Sequence, residues 1–121
     1  MTIMKVLVIG ASNNPDRYSY KAIEMLLEYN HQPIPFSQKK AEVLGLLIEN
    51  EWINWQGVNT VTLYINPKLQ FDYYQKIIEL EPKRVIFNPG TENEDFASIL
   101  KSKGIETINA CTLVMLRANQ F

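Results

Sequence analysis

Apolar and polar positions change period several times along this chain. Val6 to Ile9 is an unbroken apolar run rich in β-branched residues. That is the pattern of a central strand covered on both faces, not the alternation of a half-exposed one. From Ser19, which reads as an N-cap, Ala22, Ile23, Leu26 and Leu27 recur at three-to-four spacing while Lys21, Glu24 and Glu28 turn outward. This predicts a helix. Asn30 reads as its left-handed stop, and Pro33-Ile34-Pro35-Phe36 as a short second strand whose prolines limit ladder bonding on one side.

The next stretch, "SQKKAEVLG" followed by "LLIENEWINWQG", is apolar without a clear period and is assigned no element. A third strand is predicted over Thr60 to Ile65, after the turn signal Gln56-Gly57. Asn66-Pro67 then reads as an N-cap with proline at the first helical position. The helix it opens places Phe71, Tyr74, Ile77 and Ile78 inward and closes at Pro82. Val85-Ile86-Phe87 is a fourth strand, and Thr91-Glu92-Asn93-Glu94 a capping box for a helix burying Phe96, Ile99 and Leu100. Gly104 sits where a left-handed C-terminal residue belongs, and Ile105 to Ile108 makes a fifth strand. Asn109 onward predicts a last short helix with Leu113, Val114 and Leu116 inside. Strands alternating with helices at this spacing imply right-handed crossovers. The predicted fold is α/β: a doubly wound, mostly parallel five-stranded sheet of Rossmann-like type, formed by residues 1–121 as a single domain.

Charge narrows the partners. Twelve Lys plus Arg against thirteen Asp plus Glu give a net charge of −1, so no broad basic field draws nucleic acid or an anionic membrane. Any anion must be held locally. One cysteine, Cys111, forms no internal disulfide, and neither a secretory signal nor an apolar run of about 18 residues is present. The expected compartment is the cytoplasm. One histidine and one cysteine are too few soft ligands for a structural zinc site, and no metal is expected.

In open sheets of this kind ligands bind beyond the carboxyl ends of the strands, where the strand order reverses. The rule selects Gly10-Ala11-Ser12, Ser37 to Lys40, Ile65-Asn66 and Asn88-Pro89-Gly90. Gly10-Ala11-Ser12 precedes a helix, whose N-terminus offers roughly half a positive charge to a phosphate. Gly10 would let the backbone approach a ligand and Ser12 would donate a hydrogen bond; the alternative is an ordinary strand-to-helix turn. Of the G-x-G-x-x-G dinucleotide fingerprint only Gly10 stands. Where an NAD-binding chain carries an acidic residue, this one has Ser37, Gln38, Lys39 and Lys40. That favours a nucleotide with an extra ribose phosphate, NADP or coenzyme A.

The stretches "VLVIGASNNPDRYS", "PIPFSQKKAEVLG" and "NPGTENEDFASILKSKGIE", with the late Cys111, resemble the small single-domain CoA-binding proteins, similar in fold to the CoA-binding domain of the succinyl-CoA synthetase α subunit. The resemblance runs over nearly the whole chain and is weakest from Leu46 to Asn59. It implies that Gly10, Ala11 and Ser12 wrap the phosphates of coenzyme A or an acyl-CoA, with Asn14, Arg17 and Ser19 along the same rim. It also implies that Pro35, Ser37, Lys39 and Lys40 lie beside the adenosine and its 3′-phosphate. Ile65, Asn66 and Pro67 would pack by the nucleotide, and Asn88, Pro89 and Gly90 near the pantetheine arm. The chain departs from the family pattern at Asn109-Ala110, where many relatives carry Asp-Arg before the cysteine.

No paired carboxylates in a shared cleft and no Ser-His-Asp set are legible, so no catalytic residue is assigned and recognition without catalysis is expected. His31 reads as a residue past the first helix, favoured by the macrodipole, and Cys111 as a buried, inert thiol. Glu94 reads as the helix cap, and Trp52 and Trp55 as packing over the sheet edge. Two rival readings stay open: an NADP-binding oxidoreductase-like domain, and an interaction module that has lost its nucleotide. A protein partner or a homodimer is undecided by the sequence.

Overall fold

The computed structural model describes residues 2–121. Five parallel strands form the main sheet: β1 (Lys5–Ile9), β2 (Gln32–Phe36), β5 (Val58–Leu63), β6 (Arg84–Phe87) and β7 (Glu106–Asn109). Their order is β2-β1-β5-β6-β7, every pairing parallel. The β1 residues alternate between two cores, as a doubly covered strand must. Leu7 and Ile9 join Val61, Leu63, Phe87 and Phe96 on one face; Val6 and Val8 join Ile23, Leu26 and Leu116 on the other. The helices α3 (Tyr74–Leu80) and α4 (Glu94–Ser102) cover the first face, and α1 (Tyr18–Glu28) and α5 (Thr112–Arg117) the second. The doubly wound α/β fold is thus the one predicted. Among the described residues, no helix is long and apolar enough to cross a membrane.

The stretch without a clear period contains a separate antiparallel hairpin, β3 (Ala41–Val43) and β4 (Leu46–Ile48), pairing Val43 with Leu46. Its two-residue turn, Leu44-Gly45, has positive φ at both positions, 50° and 80°. That is the conformation of a type I′ turn, for which asparagine rather than leucine is the usual signal. Val43 and Ile48 are buried in the second core. Beyond the hairpin, Glu49 bonds across to β2: Ser37 N–H donates to its carbonyl and its own N–H to that of Pro35. Pro33 and Pro35 therefore fall on the outward-facing positions of an edge strand, where a missing N–H costs nothing in the β1 ladder.

Several helix boundaries differ from expectation. Ser19 lies inside the first turn of α1 and is buried; Arg17 holds the N-cap position, with no side-chain cap bond. Asn30 is left-handed as predicted, at φ 65°. The helix after Asn66 is not continuous: α2 (Pro67–Gln70) passes into a 3-10 turn over Phe71–Tyr73 before α3. A 3-10 turn advances 120° per residue instead of 100°, so the apolar stripe changes phase there. Phe71 consequently ends 70% exposed, resting against Tyr74 at 5.3 Å, whereas Tyr74 stacks on Phe96 at 4.0 Å. Glu81, left-handed at φ 52°, ends α3 just ahead of Pro82. Leu27, Ile99 and Val114 are exposed, because the buried stripes of α1, α4 and α5 are narrower than the apolar ones.

The predicted capping box is replaced by another cap. Asn93 accepts the N–H of Phe96 at 3.1 Å and also donates to Gln70 and to the Tyr74 hydroxyl. Thr91 turns its hydroxyl to the carbonyl of Asn88, and Glu94 sits in the first turn, where its charge complements the helix dipole. For α5 the N-cap position is Cys111, not Asn109, and its side chain makes no cap bond. Trp52, Trp55 and Tyr73 all pack edge-on against Phe36, at 5.3, 5.9 and 5.6 Å, so both tryptophans pack as expected. His31 is buried, and its Nδ1 accepts the N–H of Met4 at 3.1 Å, so it is a neutral core residue and not a cationic partner of the helix dipole.

Candidate functional site

Chain direction puts the ends of β1, β2, β5, β6 and β7 on one side of the molecule. Counted along the five main strands the order is 2-1-3-4-5, so the winding reverses between β1 and β5. A cleft of about 720 Å³ opens there, lined by Gly10, Ser12, Arg17, Ser19, Ile65, Asn66, Pro89 and Gly90. Asp16, Tyr18, Tyr64 and Thr91 complete its wall.

The loop from Gly10 to Arg17 is held by its own short bonds. Ser12 Oγ accepts Asn14 N–H at 3.0 Å, Asn14 Oδ1 accepts Asp16 N–H at 3.0 Å, and the Arg17 N–H donates to the Asn14 carbonyl. The amides of Gly10 and Ala11 are not free, since both donate to the Phe36 carbonyl, at 2.9 and 3.0 Å. The amides without a hydrogen-bond partner among the described residues are those of Ser12 and Asn13 and, at the start of α1, Tyr18, Ser19 and Tyr20. The Ser12 hydroxyl, an acceptor inside the loop, keeps its proton to donate. Gly10 is required by the fold itself. At φ +91°, a Cβ there would lie 3.0 Å from the Tyr64 carbonyl and from Ile65 Cγ2.

A second recess of about 270 Å³ continues past Gly10 and Ala11 toward β2, between Ser37 and Gln38 on one side and Ile65, Leu69 and Tyr73 on the other. Lys39 and Lys40 are exposed in the bend after Ser37 and line none of these clefts. Pro35 is buried inside β2, Pro67 is the first residue of α2, and Asn14 is exposed on the loop. Asn66 caps α2, accepting the Leu69 N–H at 3.1 Å.

Asn88 is wholly committed to the fold. Its Nδ2 donates to Thr62 Oγ1 at 2.6 Å and to the Leu63 carbonyl at 2.9 Å, and its Oδ1 accepts the Thr112 N–H at 2.9 Å. It thereby caps α5 from the end of β6, and the Thr62 and Thr112 hydroxyls bond each other at 2.8 Å beneath it. Beside this network lies a third recess, about 230 Å³, walled by Tyr18, Tyr64, Pro89, Cys111 and Leu113. Tyr18, Tyr64 and Pro89 also line the main cleft, so the recess opens off it.

Tyr64 is the residue that the sequence reading passed over. It lines all three hollows, and its hydroxyl is buried beside the Thr112 and Thr62 hydroxyls. Burial pushes the phenol up to about 12; hydrogen bonding to the Thr112 hydroxyl is the main opposing cause, ahead of a further upward push from Cys111 and a last opposing contribution from Thr62. It follows directly on the strand end Leu63, the position at which such folds meet their ligands, and that was the available signal. His31 sits before β2, at the other end of the sheet, and burial followed by the nearby Arg84 charge lowers its pKa.

A doubly wound parallel sheet with a cleft at its switch point defines a Rossmann-like class of protein. Within that class the chain belongs to the CoA-binding domain family, whose model matches residues 4–117. An uncharacterized protein of known crystal structure is 51% identical, with a TM-score of 0.98 over 100% of both chains. A hypothetical protein from Pyrococcus horikoshii OT3 shares 25% identity at a TM-score of 0.87, covering 96% of this chain and 83% of that one. A conserved hypothetical protein from Pyrococcus furiosus, 24% identical, has the same fold at a TM-score of 0.81, over 93% of this chain and 98% of that one.

Proposed function

We propose that this protein binds coenzyme A or an acyl-CoA in the cytoplasm, by recognition and without catalysis. The observation that carries the reading is the set of unpaired amides at Ser12, Tyr18 and Ser19, residues that line the cleft together with Arg17. A diphosphate satisfies those donors and takes the partial positive charge of the α1 N-terminus, while the Arg17 guanidinium forms charge-assisted bonds to its oxygens. Gly10 and Ala11 shape the turn, and Asn14 and Ser19 brace its rim. The adenine ring enters the recess between Ser37, Ile65, Leu69 and Tyr73, flanked by Pro35, Asn66 and Pro67. Lys39 and Lys40, exposed beyond it, swing in toward the 3′-phosphate. The pantetheine arm runs past Pro89 and Gly90, over the backbone that Asn88 fixes.

A thermal-shift series with CoA, NADP and NAD tests this, because a ligand that binds the native state raises its melting temperature by mass action. CoA is expected to give the largest rise. Arg17→Ala is expected to weaken CoA about tenfold by calorimetry, the scale of one charge-assisted interaction. Stabilisation by NADP alone would establish the oxidoreductase-like alternative instead. Indifference to all three would leave an interaction module.

A further inference from the structure

We infer that the free edge of β7 is an interface with a second copy of this chain. Two β7 strands pair antiparallel about a two-fold axis at Ile108 and join two five-stranded sheets into one continuous sheet.

The two edges of the main sheet are finished differently. At the β2 edge Pro33 and Pro35 have no N–H to offer, and Glu49 bonds to Ser37 and Pro35 and closes its carboxyl end. The β7 edge has no neighbouring strand, and β7 itself carries neither proline nor lysine. Glu106 and Ala110 turn their N–H groups inward, to the carbonyls of Lys83 and Phe87 at 3.1 and 3.2 Å. Bonding along a parallel strand alternates, so Thr107 and Asn109 turn both N–H and C=O outward. An antiparallel partner must set outward residues opposite one another, and the register that engages both fully places Thr107 against Asn109 of the second copy. Ile108, half-buried in the single chain, then meets its own counterpart, and Glu106 meets an alanine, so no like charges are opposed.

The helix layer complements the same axis. Glu94, Ala97, Ser98 and Lys101 of α4, together with Thr107 and Asn109, line a hollow of about 380 Å³ along this edge. As the return between two parallel strands, α4 runs against β7, with Glu94 toward the carboxyl end of the sheet and Lys101 toward the amino end. A two-fold axis through the middle of β7 reverses the second copy, so Glu94 of each chain faces Lys101 of the other. The short side chains of Ala97 and Ser98 between them let the two helices approach. A second copy carries this pattern by symmetry, which is what selects it as the occupant. The main cleft lies between the ends of β1 and β5, with β6 between it and this edge, and stays open in the pair.

Sedimentation equilibrium on the full chain, from about 5 µM to about 500 µM, tests this, and a dimer dissociating at about 50 µM is expected for an interface this small and partly polar. Lys101→Glu sets like charges together at both ends of the axis and is expected to weaken the dimer about tenfold. Adding Glu94→Lys to it restores opposite charges and is expected to recover most of the affinity. Both positions are exposed, so the fold tolerates the exchange. Hydrogen exchange is expected to slow at the Thr107 and Asn109 amides as the concentration rises through the dimer range. A chain that stays monomeric to about 500 µM would overturn the interface. So would a dimer indifferent to Lys101→Glu, or one whose Thr107 and Asn109 amides exchange equally fast at both concentrations, since it would be built on another face.

Discussion

Gly10 shows how a residue can stand at a binding cleft for reasons internal to the fold. Its φ of +91° and the 3.0 Å approach that a Cβ would make to the Tyr64 carbonyl leave no room for any side chain. Gly10→Ala is accordingly expected to cost about 2 kcal/mol or more in urea unfolding without ligand. A larger substitution would unsettle the end of β5 before it met any phosphate, so position 10 cannot separate ligand loss from fold loss. Arg17 can, being exposed at the N-cap position with no side-chain hydrogen bond to the fold among the described residues.

Elements in this molecule are finished by residues far away in sequence. Asn88, at the end of β6, satisfies the first amide of α5 and ties it to β5. Asn88→Ala strands the Thr112 N–H and is expected to destabilise by about 2–4 kcal/mol, read from the denaturation midpoint at unchanged slope. The β3–β4 hairpin offers the opposite case. Leu44 holds φ 50° with its side chain 42% exposed, so it accepts strain for little burial. Leu44→Asn, matching the residue that type I′ turns prefer, is expected to stabilise by about 0.5–1 kcal/mol and to raise the melting temperature. That hairpin was illegible in the sequence because its turn carries leucine where the pattern calls for asparagine.

At the scale of the whole molecule, the two ends of the sheet do different work. The carboxyl end holds the main cleft; at the amino end His31 accepts the Met4 N–H and lies 5.3 Å from the Phe121 ring, beside a smaller recess of about 200 Å³. His31 titrates lower in the native state than its ordinary 6.5, burial being the main cause. Between the two values the unfolded chain binds a proton that the native one does not, so stability rises with pH across that window. The contribution is complete above about 6.5 and is lost as pH falls toward the native value. Melting temperatures measured downward from about pH 7.5 should therefore decline below about 6.5, and His31→Gln should flatten that part of the profile.

Sequence alone determined the order and type of the main elements. The doubly buried run at Val6 to Ile9 and the three-to-four spacings of α1 and α4 come from local periodicity, which is a property of neighbouring residues. It also brought Gly10, Ser12, Ile65, Asn66, Pro89 and Gly90 forward together, because strand ends in a parallel sheet must meet on one side. What it did not contain were relations between distant residues: the Phe36 carbonyl that occupies the Gly10 and Ala11 amides, the Asn88 side chain that caps α5, and the burial of the Tyr64 hydroxyl. Only the packed tertiary structure decided these, since a hydrogen bond between residues dozens of positions apart leaves no period in the chain.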